Sequence, residues 1–232
     1  MQAPELITVR DVAQEAAKLF SALAEEAVKA RGRFSVVLSG GSTPLAMYDL
    51  LKTRALPWRD TWLYWGDERF VPYSDPRSNY GAAKARLLDA APVPEHQVHP
   101  WPFVPGRPEV AAGAYAEVLR EKAGEEPDFD LVLLGLGEDA HTASLFPGDD
   151  ALGAEGLTVV ARPESQAATR LSLTARALSR GRVVAFLVAG EEKREALAAT
   201  LYGERDPLKY PAQAISARER LLWITDQAVS KP

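Results

Sequence analysis

The chain has 232 residues, 47% of them hydrophobic and 25% charged, with no cysteine and a formal net charge of −5. This composition is that of a globular protein large enough to bury its own core. It excludes disulfides, thiol nucleophiles and thiolate metal sites, and the acidic balance argues against a nucleic-acid footprint. No apolar run reaches the roughly 20 residues of a membrane helix, and MQAPELITVRDVAQEAAKL at the N-terminus lacks a signal-peptide core. A soluble, cytoplasmic protein is expected.

In chain order, residues 11–31 place apolar side chains at helical spacing. FSVVLS (34–39) is a short β-branched run ended by Gly40-Gly41, the pattern of a buried strand. Ser42-Thr43-Pro44 then offers a helix start. TWLYW (61–65) reads as a strand ended by Gly66, residues 78–90 as a helix, 96–101 as a short strand and 108–123 as a helix. The Pro-rich stretch 92–108 reads as an ordered surface loop. DLVLLG (130–135) is an apolar strand, TRLSLT (169–174) alternates as a half-buried one, and VVAFLVAG (183–190) is again buried. A helix over 191–203 and a last strand, LLWITD (221–226), follow. Apolar strands separated by helices predict an α/β fold, an open doubly wound, mostly parallel sheet flanked by helices (Rossmann-like), as one domain over residues 1–232. In such a sheet the ligand site lies at the carboxyl ends of the strands, near a switch in strand order.

Four loops behind strands hold the unusual residues. In SGGSTP, Gly40 and Gly41 let backbone N–H groups approach an anion, Ser42 and Thr43 add hydroxyls, and a helix N-terminus adds its dipole. The same residues would also make an ordinary capped turn. The loop lacks the Lys-Ser/Thr ending of a nucleotide-binding P-loop and the spacing of a dinucleotide fingerprint. The second loop groups Asp67, Glu68 and Arg69 between Trp65 and Phe70, either as a solvated turn or as a packed loop whose charges must be paired. The fourth puts Lys193 in the first turn of a helix, unfavourable for the macrodipole unless an anion sits there. The third, GLGEDAHTASLFP, holds Asp139 and His141 two residues apart. Histidine suits proton transfer near neutral pH, and an acidic partner orients the ring. His96 and His99 are assigned to structure. No pair of histidines stands at ligand spacing with a carboxylate, so no catalytic metal is expected.

LSGGSTP (38–44), GDERFVP (66–72), SNY (78–80), GLGEDAHTASLFPG (135–148) and GEEKREAL (190–197) together resemble the 6-phosphogluconolactonase family, in order and approximate spacing, over about residues 30–225. The resemblance implies hydrolysis of 6-phosphoglucono-δ-lactone, a sugar-phosphate substrate, without cofactor, nucleic acid or membrane partner, in a monomer or weak homo-oligomer. It implies His141 as general base, Asp139 as its orienting partner, and an oxyanion donor from Arg69 or the Gly135–Gly137 backbone. Phosphate would rest on Gly40, Gly41, Ser42 and Thr43 with Lys193 and Arg170, Arg162 being the alternative to Arg170. Asp67 would bind sugar hydroxyls or pair with Arg69. The family commonly has glycine between the Asp and His, where this chain has Ala140, which implies that this residue needs no left-handed backbone. Glucosamine-6-phosphate deaminases, of the same superfamily, carry a glutamate after the histidine where TASLFPG has no acid before Asp149. Ser144 lies near His141 but in no G-x-S-x-G elbow. A silent sugar-phosphate sensor on the same fold would keep the anion loop but have no use for the Asp139–His141 pair.

Overall fold

The computed structural model describes residues 4–163 and 168–229. Its strands and helices follow as β1 (Glu5–Thr8), α1 (Val12–Arg31), β2 (Phe34–Leu38), α2 (Ser42–Leu51), β3 (Thr61–Trp65), β4 (Asp67–Arg69), α3 (Asn79–Ala83), β5 (Val98–His99), α4 (Pro108–Ala123), β6 (Phe129–Leu134), β7 (Thr158–Ala161), β8 (Arg170–Leu173), α5 (Ala175–Leu178), β9 (Gly181–Val188), α6 (Arg194–Tyr202) and β10 (Arg220–Thr225). Seven strands form one parallel sheet in the order β1-β10-β9-β6-β2-β3-β5. From β2 the chain steps outward through β3 to β5, then returns to β6 on the other side of β2. The order therefore reverses between β2 and β6, and right-handed crossovers put the helices before and after the reversal on opposite faces. The central strands are buried along their whole length, which is why they read as unbroken apolar runs.

Local signals set the main boundaries. The Asp11 carboxylate accepts the Gln14 N–H at the start of α1, and Gly32 closes it at φ 72°. Pro108 occupies the first turn of α4. Other boundaries differ from the sequence pattern. The helix expected at 78–90 is α3 followed by a π-helical turn over Lys84–Leu88. The strand expected at 96–101 shrinks to two residues, and the helix expected from 191 opens with a 3-10 turn, Glu191–Lys193. The Pro-rich stretch is ordered as expected but not superficial throughout: Trp101 is buried, and its Nε1–H donates to the Trp65 carbonyl at 2.9 Å.

A second sheet, β4-β8-β7, is antiparallel. The alternating stretch at 169–174 belongs here rather than in the main sheet, and the DER of the GDER loop is a strand. β1 and β7 each have four residues, too few to display a period. Among the described residues no helix is long and apolar enough to cross a membrane.

At the sheet edge His99 stacks between Trp62 and Tyr64, with centroids 5.6 and 5.1 Å away. Its buried Nε2 has no hydrogen-bond partner among the described residues. Burial lowers its pKa from 6.5 to about 4, with Lys122 adding to the effect. Between those pH values the unfolded chain binds a proton that the native state refuses, so stability falls as pH drops through this window. His99→Phe keeps the stack without the titrating group. A thermal midpoint measured from pH 7 to 4 is expected to fall less steeply in His99→Phe than in the wild type.

Candidate functional site

The strand-order reversal leaves a cleft of about 400 Å³ at the carboxyl ends of β2 and β6, lined by Gly40–Thr43, Asp67, Arg69, Asn79, His141, Phe146, Arg170, Glu192 and Lys193 among others. Of the residues expected to act on or hold the substrate, Gly40, Gly41, Ser42, Thr43, Asp67, Arg69, His141, Arg170 and Lys193 line this cleft, while Asp139 stands behind His141 and borders a second cavity of about 830 Å³.

The anion loop is shaped by sterics. The Tyr48 hydroxyl donates to the Ser39 carbonyl at 2.7 Å and accepts the Ser39 N–H at 3.2 Å, fixing the exit from β2. A Cβ on Gly40 would lie 1.9 Å from Asn79 Oδ1, so only glycine fits. Gly41 has φ 104° and is the N-cap of α2; it supplies no side-chain cap, and the first turn carries no acid. The N–H groups and positive dipole end of α2 are thus left facing the cleft.

The β4 strand presents Asp67 and Arg69 to the cleft and turns Glu68 inward. Glu68 accepts the N–H groups of Arg69, Asn79 and Tyr80 and the Ser78 hydroxyl, at 2.6–3.0 Å. Burial raises its pKa while these four donors oppose the rise. Asn79, held by its backbone, donates from Nδ2 to the Asp67 carbonyl at 2.9 Å and to Asp67 Oδ1 at 3.3 Å. Asp67 Oδ2 accepts the Ser144 hydroxyl at 2.7 Å. Asp67 therefore pairs with Asn79 and Ser144 rather than with Arg69, whose Nη1 donates to the Arg77 carbonyl. Ser144 is fully buried with its hydroxyl committed to Asp67, a poor disposition for a nucleophile.

Arg69 and Arg170 are direct cross-strand partners on β4 and β8. Like charges so placed repel. Burial first, and then Arg69, lower the Arg170 pKa, against Asp67 and Glu68. Such a pair is an anion site by its electrostatics. Arg162 is elsewhere, paired with Glu109 and facing the second cavity. Lys193 lies in the 3-10 turn ahead of α6, 3.5 Å from Glu138 Oε1.

The geometry of the loop after β6 is tight. Asp139 Oδ1 stands 2.6 Å from His141 Nδ1 and also accepts the His141 N–H at 3.0 Å. Burial pushes the Asp139 pKa up, but the hydrogen bonds from His141 outweigh it and hold the carboxyl below its ordinary value. An ionised acceptor at Nδ1 puts the ring proton there and leaves Nε2 as the basic nitrogen. A Cβ on Gly137 would fall 2.0 Å from His141 Nδ1. The Gly137 N–H donates to the His141 carbonyl at 2.8 Å, so it is committed to the turn and is not a free oxyanion donor.

Ala140 corrects the sequence reading: its φ is 64°, in the left-handed region. The reason is the turn itself. The Ala140 N–H donates to the Gly137 carbonyl at 3.0 Å, and the Ala140 carbonyl accepts the Ala212 N–H at 3.2 Å. Farther on, the Gly148 N–H donates to the Leu208 carbonyl at 3.0 Å. These ties hold alanine where glycine would sit without strain, at a cost of roughly 1–2 kcal/mol. Sequence reasoning missed this bracing segment, and it gave Asn79 no role, although the SNY motif pointed to the position.

The fold and cleft define a class: an α/β protein with a glycine-rich loop at an uncapped helix N-terminus and an Asp–His pair facing each other across a strand-order reversal. Residues 8–223 match the family model described as glucosamine-6-phosphate isomerases/6-phosphogluconolactonase, and the chain belongs to that family. It is 42% identical over 207 residues to the 6-phosphogluconolactonase of Synechocystis sp., covering 87% of this chain and 85% of the relative. It is 37% identical to the human GDH/6PGL endoplasmic bifunctional protein, over 88% of this chain and 27% of that one. The structure of 6-phosphogluconolactonase from Thermotoga maritima superposes with a TM-score of 0.85 at 29% identity, covering 96% of this chain and 98% of that one. A monomeric glucosamine-6-phosphate deaminase shares the fold with a TM-score of 0.79 at 17% identity, over 97% of each chain. The similarity in sequence thus lies with the lactonases.

Replacing Ala140 by glycine removes left-handed strain but loosens the unfolded chain. Ala140→Gly is expected to raise stability by about 1 kcal/mol, or roughly 2–4 °C in the thermal midpoint; a lowered midpoint would contradict the strain argument.

Proposed function

We propose that this chain hydrolyses 6-phosphoglucono-δ-lactone to 6-phosphogluconate by direct attack of water, with His141 as general base. The observation that carries this reading is the Asp139–His141 pair, with Nδ1 held and Nε2 left basic, in one cleft with the α2 N-terminus and the Arg69–Arg170 pair. A δ-lactone is an activated ester, so no covalent intermediate is needed. His141 Nε2 takes a proton from water as its oxygen bonds to the C1 carbonyl, and the tetrahedral oxyanion collapses by expelling the ring oxygen. The imidazolium then returns the proton to that leaving oxygen, and the histidine is restored.

The substrate's phosphate is the dianion that this cleft holds. Gly40, Gly41, Ser42 and Thr43 offer N–H groups, hydroxyls and the helix dipole, while Arg170 and Lys193 supply charge. Arg69, beside Arg170, is the donor for the oxyanion or a further phosphate contact, the Gly137 N–H being committed. Asp67, its carboxylate aligned by Asn79 and Ser144, accepts sugar hydroxyls. Binding energy gathered at the phosphate holds C1 against His141. The deaminase alternative has less support: the identity is lower, and no acid follows His141 before Asp149.

The test generates the lactone in situ with glucose-6-phosphate dehydrogenase and follows its loss against the spontaneous rate. His141→Asn is expected to lower kcat by roughly 10²–10⁴-fold with KM little changed. Wild type at the spontaneous rate would overturn the reading. In the same assay Arg170→Ala is expected to act mainly on KM, raising it about 10-fold or more, as loss of a charged hydrogen bond to phosphate should.

A further inference from the structure

His141 is held on one edge by Asp139, and one of its faces is also covered. The Phe146 ring stacks on the imidazole, with centroids 4.5 Å apart and planes inclined at 28°. Phe146 is 4% exposed and forms part of the wall of both the cleft and the second cavity. Its backbone is fixed around the ring: the Leu145 N–H donates to the Thr142 carbonyl, the Asp149 N–H to the Phe146 carbonyl, and the preceding Ser144 is pinned to Asp67. The phenyl ring has little freedom to leave the imidazole.

We infer that Phe146 is a positioning residue that steadies His141 in its cationic form. The inference rests on the proton-transfer role proposed above. During the reaction His141 gains the proton of the attacking water and becomes an imidazolium. A cation 4.5 Å above a phenyl face is attracted by the ring quadrupole, whereas the neutral imidazole gains only ordinary stacking. The interaction is therefore stronger as charge develops than in the ground state, and interactions of that kind appear in kcat rather than KM. The ring also closes the imidazole off from the second cavity. The two held features, edge by Asp139 and face by Phe146, leave Nε2 as the one ring nitrogen available to water.

Phe146→Leu keeps apolar volume and removes the quadrupole; Phe146→Tyr keeps the ring. In the lactone assay Phe146→Leu is expected to lower kcat roughly 3- to 30-fold, with KM within about twofold of wild type. Phe146→Tyr is expected to stay within about twofold on both. Thermal unfolding is followed alongside, and if Phe146→Leu does not fold, Phe146→Met, which adapts to irregular space, replaces it with the same expectation. The inference is overturned if the aliphatic variant turns over like wild type, if its loss lies in KM, or if the tyrosine variant is as slow as the aliphatic one. Failure of the underlying reading looks different: His141→Asn would then turn over like wild type, or the wild type would not exceed the spontaneous rate.

Discussion

Glu68 brings a carboxylate into the interior, 3% exposed, and a buried charge is costly unless every lone pair is engaged. The structure meets that requirement with four donors: the Asn79 and Tyr80 N–H groups and the Ser78 hydroxyl at the start of α3, and the Arg69 N–H of β4. In doing so it fixes Asn79. Asn79 in turn fills the space above Gly40 and aligns Asp67, and Asp67 captures Ser144 in the histidine loop. The anion loop, the small sheet and the histidine loop come from three distant parts of the chain, and this chain of hydrogen bonds is what registers them against one another.

The topology supplies the space in which that network works. Because the strand order reverses between β2 and β6, the connections on either side of the reversal lie on opposite faces and leave a crevice at the strand ends. Glycine stands where the backbone meets a side chain too closely for a Cβ, at Gly40 against Asn79 from another segment and at Gly137 against His141 within its own loop. The small sheet adds what the main sheet does not, two arginines directly opposite one another. Their repulsion is tolerated because Asp67 and Glu68 lie near, and it makes the cleft attractive to an anion.

The far end of the sheet has a different character. There Asp130, almost buried, accepts two donors from Arg31 and two from Ser35, and Asp128 pairs with Arg182 and Arg218. Every charge in that group has its partner, as burial without strain requires. At the ligand end charges of one sign are left adjacent and Ala140 is held in a strained conformation. Local rules are broken there because the surrounding contacts over-determine the geometry.

Much of this was legible in the sequence. Apolar runs such as FSVVL and FDLVLL define buried parallel strands, and their Gly-rich exits mark the functional edge. The motifs at 38–44, 66–72 and 135–148 hold seven of the nine expected site residues that line one cleft, Arg170 and Lys193 being the other two, and Asp139 touches His141. What the sequence by itself determined was therefore the set of residues and their side of the sheet, since period and punctuation are local properties. The tertiary structure decided the rest. It made DER a strand opposite RLSL, which no local period announces over three residues. It gave Asp67 to Asn79 and Ser144 instead of Arg69, because cross-chain distance, not sequence adjacency, chooses hydrogen-bond partners. And it forced Ala140 to φ 64°, because the Gly137 carbonyl and the Ala212 N–H, 72 residues downstream, fix that peptide from both sides more strongly than alanine's own preference resists.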